Sequence, residues 1–285
     1  MPKGTKKTLN CRGRLVSLDT PAVMGILNVT PDSFYAGSRV SGQPDSLSAV
    51  IDRAGQMLTD GATFIDLGGY STRPGATDIS PADEADRILP VIEALLSAFP
   101  DALLSIDTFR ASVARQAVSA GAALINDIGG GTLDPAMFET VARLGVPYVL
   151  MHLRGTPQTM QQHTHYTDLI TEVIDELSTQ LASLRALGAT DVILDPGFGF
   201  AKTPAQNFLL MRHLDAFGLF EEPLLVGISR KSTIWKTLNV TANQALNGTT
   251  VLNTAALLKG ASILRVHDVR EAVEAVLLTQ QLTFF

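Results

Sequence analysis

Several charged or polar side chains in this chain follow directly on short apolar runs. In residues 192–202 (VILDPGFGFAK), Asp195 comes after three apolar residues and before a turn rich in glycine and phenylalanine. A carboxylate at the end of a buried strand costs free energy unless a donor pairs with it. A flat heterocycle with adjacent N–H groups, stacked on Phe200, would supply that donor. The alternative is that Asp195 only caps the turn, but the recurrence of this pattern elsewhere in the chain favours a ligand.

The polar residues at the other predicted strand ends suit two kinds of chemistry. Carboxylates and amides can accept and donate hydrogen bonds along the edge of a nitrogen-rich ring. Arginine makes bidentate contacts with phosphate, so it suits an anion. The residues concerned are Asp107, Asn126 and Asp195 for a ring, Asn28, Arg265 and His267 for an anion, and Lys231 for either.

Each of these residues also has an ordinary structural explanation. Asp107 could cap the helix that follows it, which is the commoner role for an isolated aspartate in that position. Residues 126–127 could form an Asx turn, residues 230–231 could be a solvated pair of cations, and His267 could be packed and neutral. Because so many of these residues stand at strand ends, the pattern favours one shared pocket.

The spacing of the apolar residues predicts strands that alternate with helices. Residues 8–18 predict a hairpin that turns at Arg12 and Gly13. The stretch Ser80-Pro81-Ala82-Asp83 is typical of a helix start with a capping box, and apolar residues at helical spacing follow it. Eight compact apolar runs predict strands at residues 23–27, 63–67, 103–106, 122–125, 146–151, 192–194, 224–228 and 262–266.

Strands that are apolar along most of their length and alternate with helices indicate a parallel sheet covered by helices. Eight such units in 285 residues favour a closed (β/α)8 TIM barrel over an open doubly wound α/β sheet. We expect one domain, residues 1–285, with a short N-terminal β-hairpin and the barrel proper at about residues 22–285. In such a barrel the carboxyl ends of all strands meet at one mouth, which would gather the polar residues into one pocket.

Composition narrows the class of partner. The net charge is −6 and no basic stripe is visible, so we expect no nucleic-acid partner. The single cysteine, Cys11, cannot form an intrachain disulfide. Neither a signal-peptide pattern nor an apolar run of about 18–20 residues is present, so we expect a cytoplasmic protein without membrane attachment. No motif for a covalent nucleophile or for ATP binding was found.

Eight motifs, taken together, resemble those of the dihydropteroate synthase family. They run from Met24 to Val269 in the family's order: MGILNVTPDSF, DLGGYSTRPG, SIDT, NDI, MH followed by GTPQTM, DPGFGF, GISRKS and RVHDV. The resemblance implies a (β/α)8 barrel that joins (7,8-dihydropterin-6-yl)methyl diphosphate to 4-aminobenzoate and releases pyrophosphate. It also implies Mg²⁺, a role in folate biosynthesis, sensitivity of the family to sulfonamides, and a homodimer. The helices rich in alanine and leucine near residues 244–259 and 272–278 could pair with a second copy, or they could only pack on the barrel.

The resemblance assigns roles to particular residues. It implies a pterin site of Asp107, Asn126, Met151, Asp195, Phe200, Gly227 and Lys231. It implies a diphosphate site of Asn28, Arg265 and His267, with Asn28 linked to the magnesium ion. It implies an aminobenzoate site of Phe34, Thr72, Arg73, Pro74 and Ser232. Asp107, Asp195, Lys231 and Arg73 would be the catalytic residues.

The residue types fit a dissociative, SN1-like substitution without a covalent enzyme intermediate. Ionised Asp107 and Asp195 would stabilise the cation left on the dihydropterin when diphosphate departs. Two positions depart from the family's pattern: Ala36 replaces an acidic residue of the first loop, which leaves Asp32 as the expected partner of Arg73, and Ala201 replaces a glycine. We expect the pocket to survive the second change.

Two other functions share part of the pattern. A methyltetrahydrofolate–corrinoid methyltransferase would use similar ring-binding aspartates and asparagines, but it needs neither the anion site nor the arginine in the second loop. A non-catalytic pterin-binding module would need no chemistry at all. Release of pyrophosphate from both substrates would separate the synthase from these alternatives.

Overall fold

The computed structural model describes residues 7–29, 47–70 and 79–283 of the chain. Within these residues, an antiparallel hairpin of β1 (Thr8–Cys11) and β2 (Arg14–Ser17) precedes everything else. It turns at Arg12 and Gly13, which both have positive φ angles of 57° and 86°. The predicted N-terminal hairpin is confirmed.

Eight parallel strands follow and form one sheet. They are β3 (Ala22–Asn28), β4 (Phe64–Gly68), β5 (Leu104–Asp107), β6 (Leu124–Asp127), β7 (Tyr148–Met151), β8 (Val192–Asp195), β9 (Leu225–Val226) and β10 (Ile263–Val266). Their order around the sheet is β8-β7-β6-β5-β4-β3-β10-β9. The ends of the sheet meet where Leu194 pairs with Leu224, and the Leu194 amide donates to the Pro223 carbonyl at 2.9 Å. The predicted TIM barrel is therefore confirmed as a nearly closed barrel.

Helices connect the strands and cover the outside of the barrel. They are α1 (Leu47–Thr59), α2 (Pro81–Ala98), α3 (Ala111–Ala120), α4 (Met137–Leu144), α5 (Leu169–Ala186), α6 (Pro204–Arg212), α7 (Ser232–Leu238), α8 (Leu246–Leu258) and α9 (Val269–Thr283). The predicted start of α2 is confirmed. Ser80 is the N-cap and forms a reciprocal capping box with Asp83, and Pro81 is the first residue of the helix. No helix in the described ranges is long and apolar enough to cross a membrane.

The strand predicted over residues 224–228 is shorter than expected. Only Leu225 and Val226 belong to β9. Gly227 has no side chain to pack and weakens a strand, while Pro223 has no N–H to give to the ladder. The chain therefore leaves the sheet at Gly227, close to the mouth.

Side chains that point into the barrel form two layers of opposite polarity. The lower layer is apolar, and the hairpin closes it from below: Leu9 and Cys11 pack with Met24, Phe64 and Ile193 in one buried cluster. The upper layer, at the carboxyl ends of the strands, is polar. The pleat explains the change, since Phe64 and the next inward residue of β4, Asp66, are two positions apart.

We predict that the hairpin stabilises the barrel through Leu9. Leu9 is 0% exposed, whereas Leu15 on the same hairpin is 72% exposed. Leu9→Ala should lower the free energy of unfolding by about 2–5 kcal/mol because it leaves a cavity, while Leu15→Ala should change it by less than about 0.5 kcal/mol. Urea denaturation measures both, and equal effects of the two variants would contradict this role of the hairpin.

Candidate functional site

An arginine between two carboxylates occupies the centre of the polar layer. Arg265, on β10, donates from Nε to Asp66 Oδ2 and from Nη2 to Asp107 Oδ2, each at 2.6 Å. Asp66 is 0% exposed, so its charge needs this partner. Among the described residues, Nη1 is the guanidinium nitrogen of Arg265 that has no hydrogen-bond partner.

Asp66 also organises the neighbouring strands. Its Oδ2 accepts from Asn126 Nδ2 at 3.0 Å, and its Oδ1 accepts from Ser105 Oγ at 2.5 Å. Ser105 and Asp66 are register partners on adjacent strands. One carboxylate thus fixes an amide from β6, a hydroxyl from β5 and a guanidinium from β10.

Burial and the charge of Arg265 act on the pKa of Asp107 in opposite directions. Burial raises the pKa of Asp107 to about 7, and the nearby guanidinium of Arg265 opposes that shift. Asp66 and Arg265 together carry no net charge, so the ionised form of Asp107 leaves the centre of the site with one negative charge. A site of that sign favours a ligand on which positive charge develops.

Asp195 and Lys231 form the other half of the pocket. Asp195 Oδ1 accepts from the Gly197 amide at 2.7 Å, and burial raises the pKa of Asp195 while Lys231 lowers it. Lys231 Nζ donates to the Phe198 carbonyl and lies 4.4 Å above the centre of the Phe200 ring. Burial lowers the pKa of Lys231 to about 8.

Gly227 shows that these two halves face the same space. A Cβ placed on Gly227 would lie 4.0 Å from Asp195 Oδ2 and 3.9 Å from Arg265 Cβ, both ordinary contact distances. Asp195 and Arg265 therefore border the same glycine, and position 227 carries no side chain between them.

The residues predicted to bind an anion lie around the top of β3 and β10. A Cβ placed on Gly68 would lie 3.3 Å from Asn28 Oδ1 and 3.9 Å from Asp107 Oδ2, so Asn28 and Asp107 border the same glycine. The Ser229 hydroxyl lies 3.1 Å from His267 Nδ1 and accepts from the His267 amide at 3.1 Å. Burial lowers the pKa of His267 to about 4, and the charge of Arg265 acts in the same direction. His267 is therefore neutral at pH 7.

Two of the ordinary roles that the sequence left open are present, since Asp195 caps its turn through the Gly197 amide and His267 is neutral, whereas Asp107 does not cap a helix. The helix after Asp107, α3, has Arg110 as its N-cap, and its Ala111 amide donates to Asp134 Oδ2 at 2.8 Å rather than to Asp107. The Asx turn next to Asn126 belongs to Asp127, whose Oδ1 accepts from the Gly129 amide at 2.7 Å.

The pair of cations at residues 230–231 is not a solvated pair. Arg230 makes a two-point contact with Asp268, at 2.8 Å from Nε and 2.7 Å from Nη2. Its Nη1 donates to the carbonyls of Ala242 and Asn243. Arg230 therefore ties the start of α7 to the residue after His267, while Lys231 turns toward Asp195.

The two apolar residues predicted to line the pterin slot lie beside this pocket. Met151 is buried in a cluster with Ile128 and Ala201, and Phe200 packs against that cluster. Ala201 has a φ of +47°, a conformation that costs an L-residue roughly 1–2 kcal/mol. Its methyl group is buried in this cluster, and survival of the pocket after the replacement of glycine stays a prediction.

Four of the residues predicted for the aminobenzoate site, Phe34, Thr72, Arg73 and Pro74, lie outside the described residues, as do Asp32 and Ala36. The fifth, Ser232, is the first residue of α7 and directly follows Lys231. Its position is therefore at the mouth, next to the Lys231 side of the pocket.

Sequence reasoning missed Asp66, Ser105, Ser229 and Lys202. A charged residue between Ile65 and Leu67, in a strand read as buried, was the available signal for Asp66. Ser105 and Ser229 carry no comparable signal, because a serine can satisfy its hydroxyl locally. Lys202 stands at the end of the central motif but beyond the turn that drew attention to Asp195.

We predict that His267 makes the protein sensitive to acid. In the unfolded chain a histidine has a pKa of about 6.5, and in the folded chain the pKa of His267 is about 4. Between these values the unfolded state binds a proton that the folded state does not, so the contribution of neutral His267 is complete above pH 6.5 and falls as the pH decreases to 4.

The test compares the wild type with His267→Asn, which keeps an amide near Ser229. The free energy of unfolding of the wild type, relative to this variant, should fall by about 1 kcal/mol for each pH unit between 6.5 and 4. Asp107 and Asp127, whose pKa values are raised to about 7 and about 6 by burial, act in the opposite direction but are present in both proteins. Parallel curves of unfolding free energy against pH would show that His267 is not buried in its neutral form.

Known proteins are similar to this chain in fold and in sequence. The model of the family described as pterin binding enzyme matches residues 24–267. The chain is 43% identical over 270 residues to the dihydropteroate synthase of Escherichia coli strain K12, over 94% of each chain. The Yersinia pestis dihydropteroate synthase in a sulfonamide drug complex has a TM-score of 0.90 and 44% identity, covering 96% of this chain and 98% of that one. The Xanthomonas albilineans enzyme with 4-aminobenzoic acid has a TM-score of 0.90 and 38% identity, covering 99% and 100%. This chain therefore belongs to the dihydropteroate synthase family of pterin-binding enzymes.

Proposed function

We propose that this chain condenses (7,8-dihydropterin-6-yl)methyl diphosphate with 4-aminobenzoate, giving 7,8-dihydropteroate and pyrophosphate in folate biosynthesis. The reaction is that of the family to which the chain belongs. The observation that carries the proposal for these residues is the position of Gly227, which borders both Asp195 and Arg265. A ring acceptor and an anion-binding cation thus open onto one space, as a substrate with a ring and a diphosphate requires.

In this proposal the pterin ring lies between Gly227 and Phe200, with Met151 behind it. Ionised Asp195 accepts two parallel hydrogen bonds from the amino group and ring N–H of the pterin, which is the strongest pattern for a carboxylate. Asn126 is held by Asp66 at 3.0 Å and presents its carbonyl oxygen to the ring. Lys231, 4.4 Å above Phe200, binds the opposite edge of the ring.

The chemical step is an SN1-like substitution. As the bond between the pterin methylene and the diphosphate oxygen breaks, positive charge spreads into the dihydropterin ring, and Asp107 and Asp195 stabilise it. Arg265 Nη1 and His267 bind the departing diphosphate, to which neutral His267 donates one N–H. The aniline nitrogen then attacks the methylene carbon and loses a proton; it is weakly basic and needs positioning more than activation. We assign that positioning to Arg73, with Phe34, Thr72, Pro74 and Ser232 around the aminobenzoate.

Mg²⁺ fits this site as an ion completed by the substrate. Magnesium keeps several waters and binds through one or two protein oxygens together with substrate phosphates. Asn28 Oδ1 supplies such an oxygen, beside Asp107 at Gly68. No group of three metal-binding side chains exists among the described residues, so a metal held by the protein alone is not expected there. When bound, the ion would neutralise charge on the leaving diphosphate.

We also propose that the chain forms a homodimer through α8 and α9. Val251 and Leu258 on α8 are 58% and 54% exposed, and Leu278 and Leu282 on α9 are 69% and 67% exposed. The two helices lie side by side, so these residues form one apolar surface that a second copy could cover. Cytoplasmic localisation stays a prediction from the sequence.

We predict that Asp195→Asn abolishes ring recognition. The amide places a donor where the pterin also has a donor, so pterin affinity should fall by several kcal/mol, about 100-fold or more. The wild type should release pyrophosphate when given both substrates and Mg²⁺, and the variant should not at the same substrate concentrations. Asp215→Asn is the matched control, because it makes the same substitution at an exposed aspartate outside the pocket.

The outcome of this assay separates the alternatives. Pterin binding by the wild type without pyrophosphate release would exclude the synthase and favour the methyltransferase or the binding module. Unchanged pterin affinity in Asp195→Asn would contradict the assignment of Asp195 while leaving the activity itself intact.

We predict that Leu278→Glu converts the dimer into a monomer, because it places a charge in the apolar surface of α8 and α9. Leu15→Glu introduces the same change at a residue of similar exposure on the hairpin and should leave the dimer intact. Sedimentation velocity over a range of protein concentrations measures the state of each variant. A wild type that remains monomeric at every concentration would contradict the proposal.

A further inference from the structure

A second lysine lies beneath the turn that follows Asp195, and the pocket described above does not use it. Lys202 is 3% exposed, and the imidazole next to it, His152, is 1% exposed. His152 reaches Glu176 on α5, where its Nε2 lies 3.0 Å from Glu176 Oε2. A cation, an imidazole and a carboxylate therefore form a row from the turn to the surface of the barrel.

The contacts of Lys202 match a charged ammonium group. Its Nζ lies 3.2 Å from the Gly197 carbonyl, 3.2 Å from the Phe200 carbonyl and 2.9 Å from His152 Nδ1. These are three acceptors for the three N–H donors of an ammonium group. A neutral amine would have only two donors and would turn a lone pair toward the third acceptor.

The same geometry fixes the tautomer of His152. Nδ1 accepts from Lys202, so the ring proton is on Nε2, which donates to Glu176. Burial and Lys202 lower the pKa of His152 to about 4, which keeps the ring neutral. Glu176 is also held by Arg154, whose Nε donates to Glu176 Oε1 at 2.9 Å. Each member of the row therefore orients the next.

Through this row, Lys202 fixes the atoms that present Asp195. The amide of Gly197 donates to Asp195 Oδ1 at 2.7 Å, while the carbonyl of the same residue accepts from Lys202. The Asp195 carbonyl accepts from the His152 amide at 2.9 Å, so the row holds both sides of the turn. A Cβ on Gly197 would lie 2.1 Å from the His152 carbonyl, which shows how closely the turn packs on this residue.

We propose that Lys202, oriented by His152 and Glu176, is a positioning residue for pterin recognition: its ammonium group holds the turn that presents Asp195 and Phe200, and its charge favours the ionised form of Asp195. The inference rests on the proposed role of Asp195 as the acceptor for the ring. Lys202 acts on the substrate only through the turn, since its three donors are used by Gly197, Phe200 and His152.

Lys202 is one of three cations that act on the pKa of Asp195. Asp195 faces Lys231 at the start of α7, Arg265 on β10 and Lys202 in its own loop, and all three lower its pKa against the effect of burial. Lys202 in turn faces Asp195, Lys231, Glu176 and Arg154. Burial lowers the pKa of Lys202 to about 7, and Asp195 opposes this shift, so the two groups support each other's charged forms.

The test uses Lys202→Met, which keeps much of the length of the side chain and removes the charge. Calorimetric titration with 6-hydroxymethyl-7,8-dihydropterin, which has no phosphates, should show a Kd at least about tenfold higher than that of the wild type at pH 7. The Kd of inorganic pyrophosphate should change by less than about twofold, because its site lies on β3 and β10. The pH below which pterin affinity is lost should move upward in the variant, since Asp195 has lost one neighbouring cation.

A purely structural role would not produce this combination. Equal losses of pterin and pyrophosphate affinity would indicate general damage to the barrel and would overturn the proposal. An unchanged Kd for the pterin would overturn the whole proposal. A loss of pterin affinity without any shift of the pH profile would overturn the effect of Lys202 on the ionisation of Asp195. Failure of wild-type activity would instead count against the proposed function, because the pterin titration does not depend on turnover.

A second pair of variants keeps the proposal testable if Lys202→Met does not fold. Glu172 and Glu176 are one turn apart on α5 and both pair with Arg154, but only Glu176 reaches His152. Glu176→Gln should raise the Kd for the pterin by about threefold and Glu172→Gln by less than about 1.5-fold, since only the first weakens the orientation of His152. Equal effects of the two variants would overturn the role of the row.

Discussion

The pairing of Arg265 with Asp66 and Asp107 is the interaction on which the mouth of this barrel depends. Three charges removed from water cost several kcal/mol each, and only short, well-directed hydrogen bonds offset that cost. Both bonds from the guanidinium are 2.6 Å long, and Asp66 is further satisfied by Ser105 and Asn126. Removal of any one partner would leave a buried charge, so the residues of this network are fixed as a group. The side chains of this network therefore hold one another in a single arrangement.

The network also sets the sign of the charge at the centre of the site. Two carboxylates share one guanidinium at the centre, and a third carboxylate, Asp195, lies across Gly227. A dissociative reaction places positive charge on the pterin, and preformed negative charge stabilises it without reorganisation. The groups proposed to bind the anion lie at the edge of this region, where His267 is neutral and Nη1 of Arg265 makes no hydrogen bond within the described residues. In the proposed reaction, the two charges of the substrate would separate toward these two regions.

The two layers of the barrel interior divide stability from chemistry. Below, Leu9 and Cys11 of the hairpin close an apolar core that needs no specific partner. Above, buried lysines and carboxylates are held at considerable electrostatic cost, as the pKa of Asp107 at about 7 and that of Lys231 at about 8 indicate. The apolar layer and the helices outside it supply the burial that offsets this cost. A mouth of this kind is stable because the other end of the barrel is closed.

The sequence by itself determined the class of fold and the general region of the site. Short apolar runs that alternate with amphipathic helices predict a parallel barrel, and in any such barrel Asp107, Asn126, Asp195 and Arg265 lie at the carboxyl ends of strands. What the sequence could not determine is which of these residues pair. Arg265 and Asp66 are 199 positions apart, and they can meet because β10 and β4 both flank β3 in the closed barrel. Lys202 gave no signal for the same reason: its partner His152 belongs to another strand end, 50 positions away. Only the tertiary structure decided these contacts, because periodicity reveals which way a side chain points but not which side chains share its level.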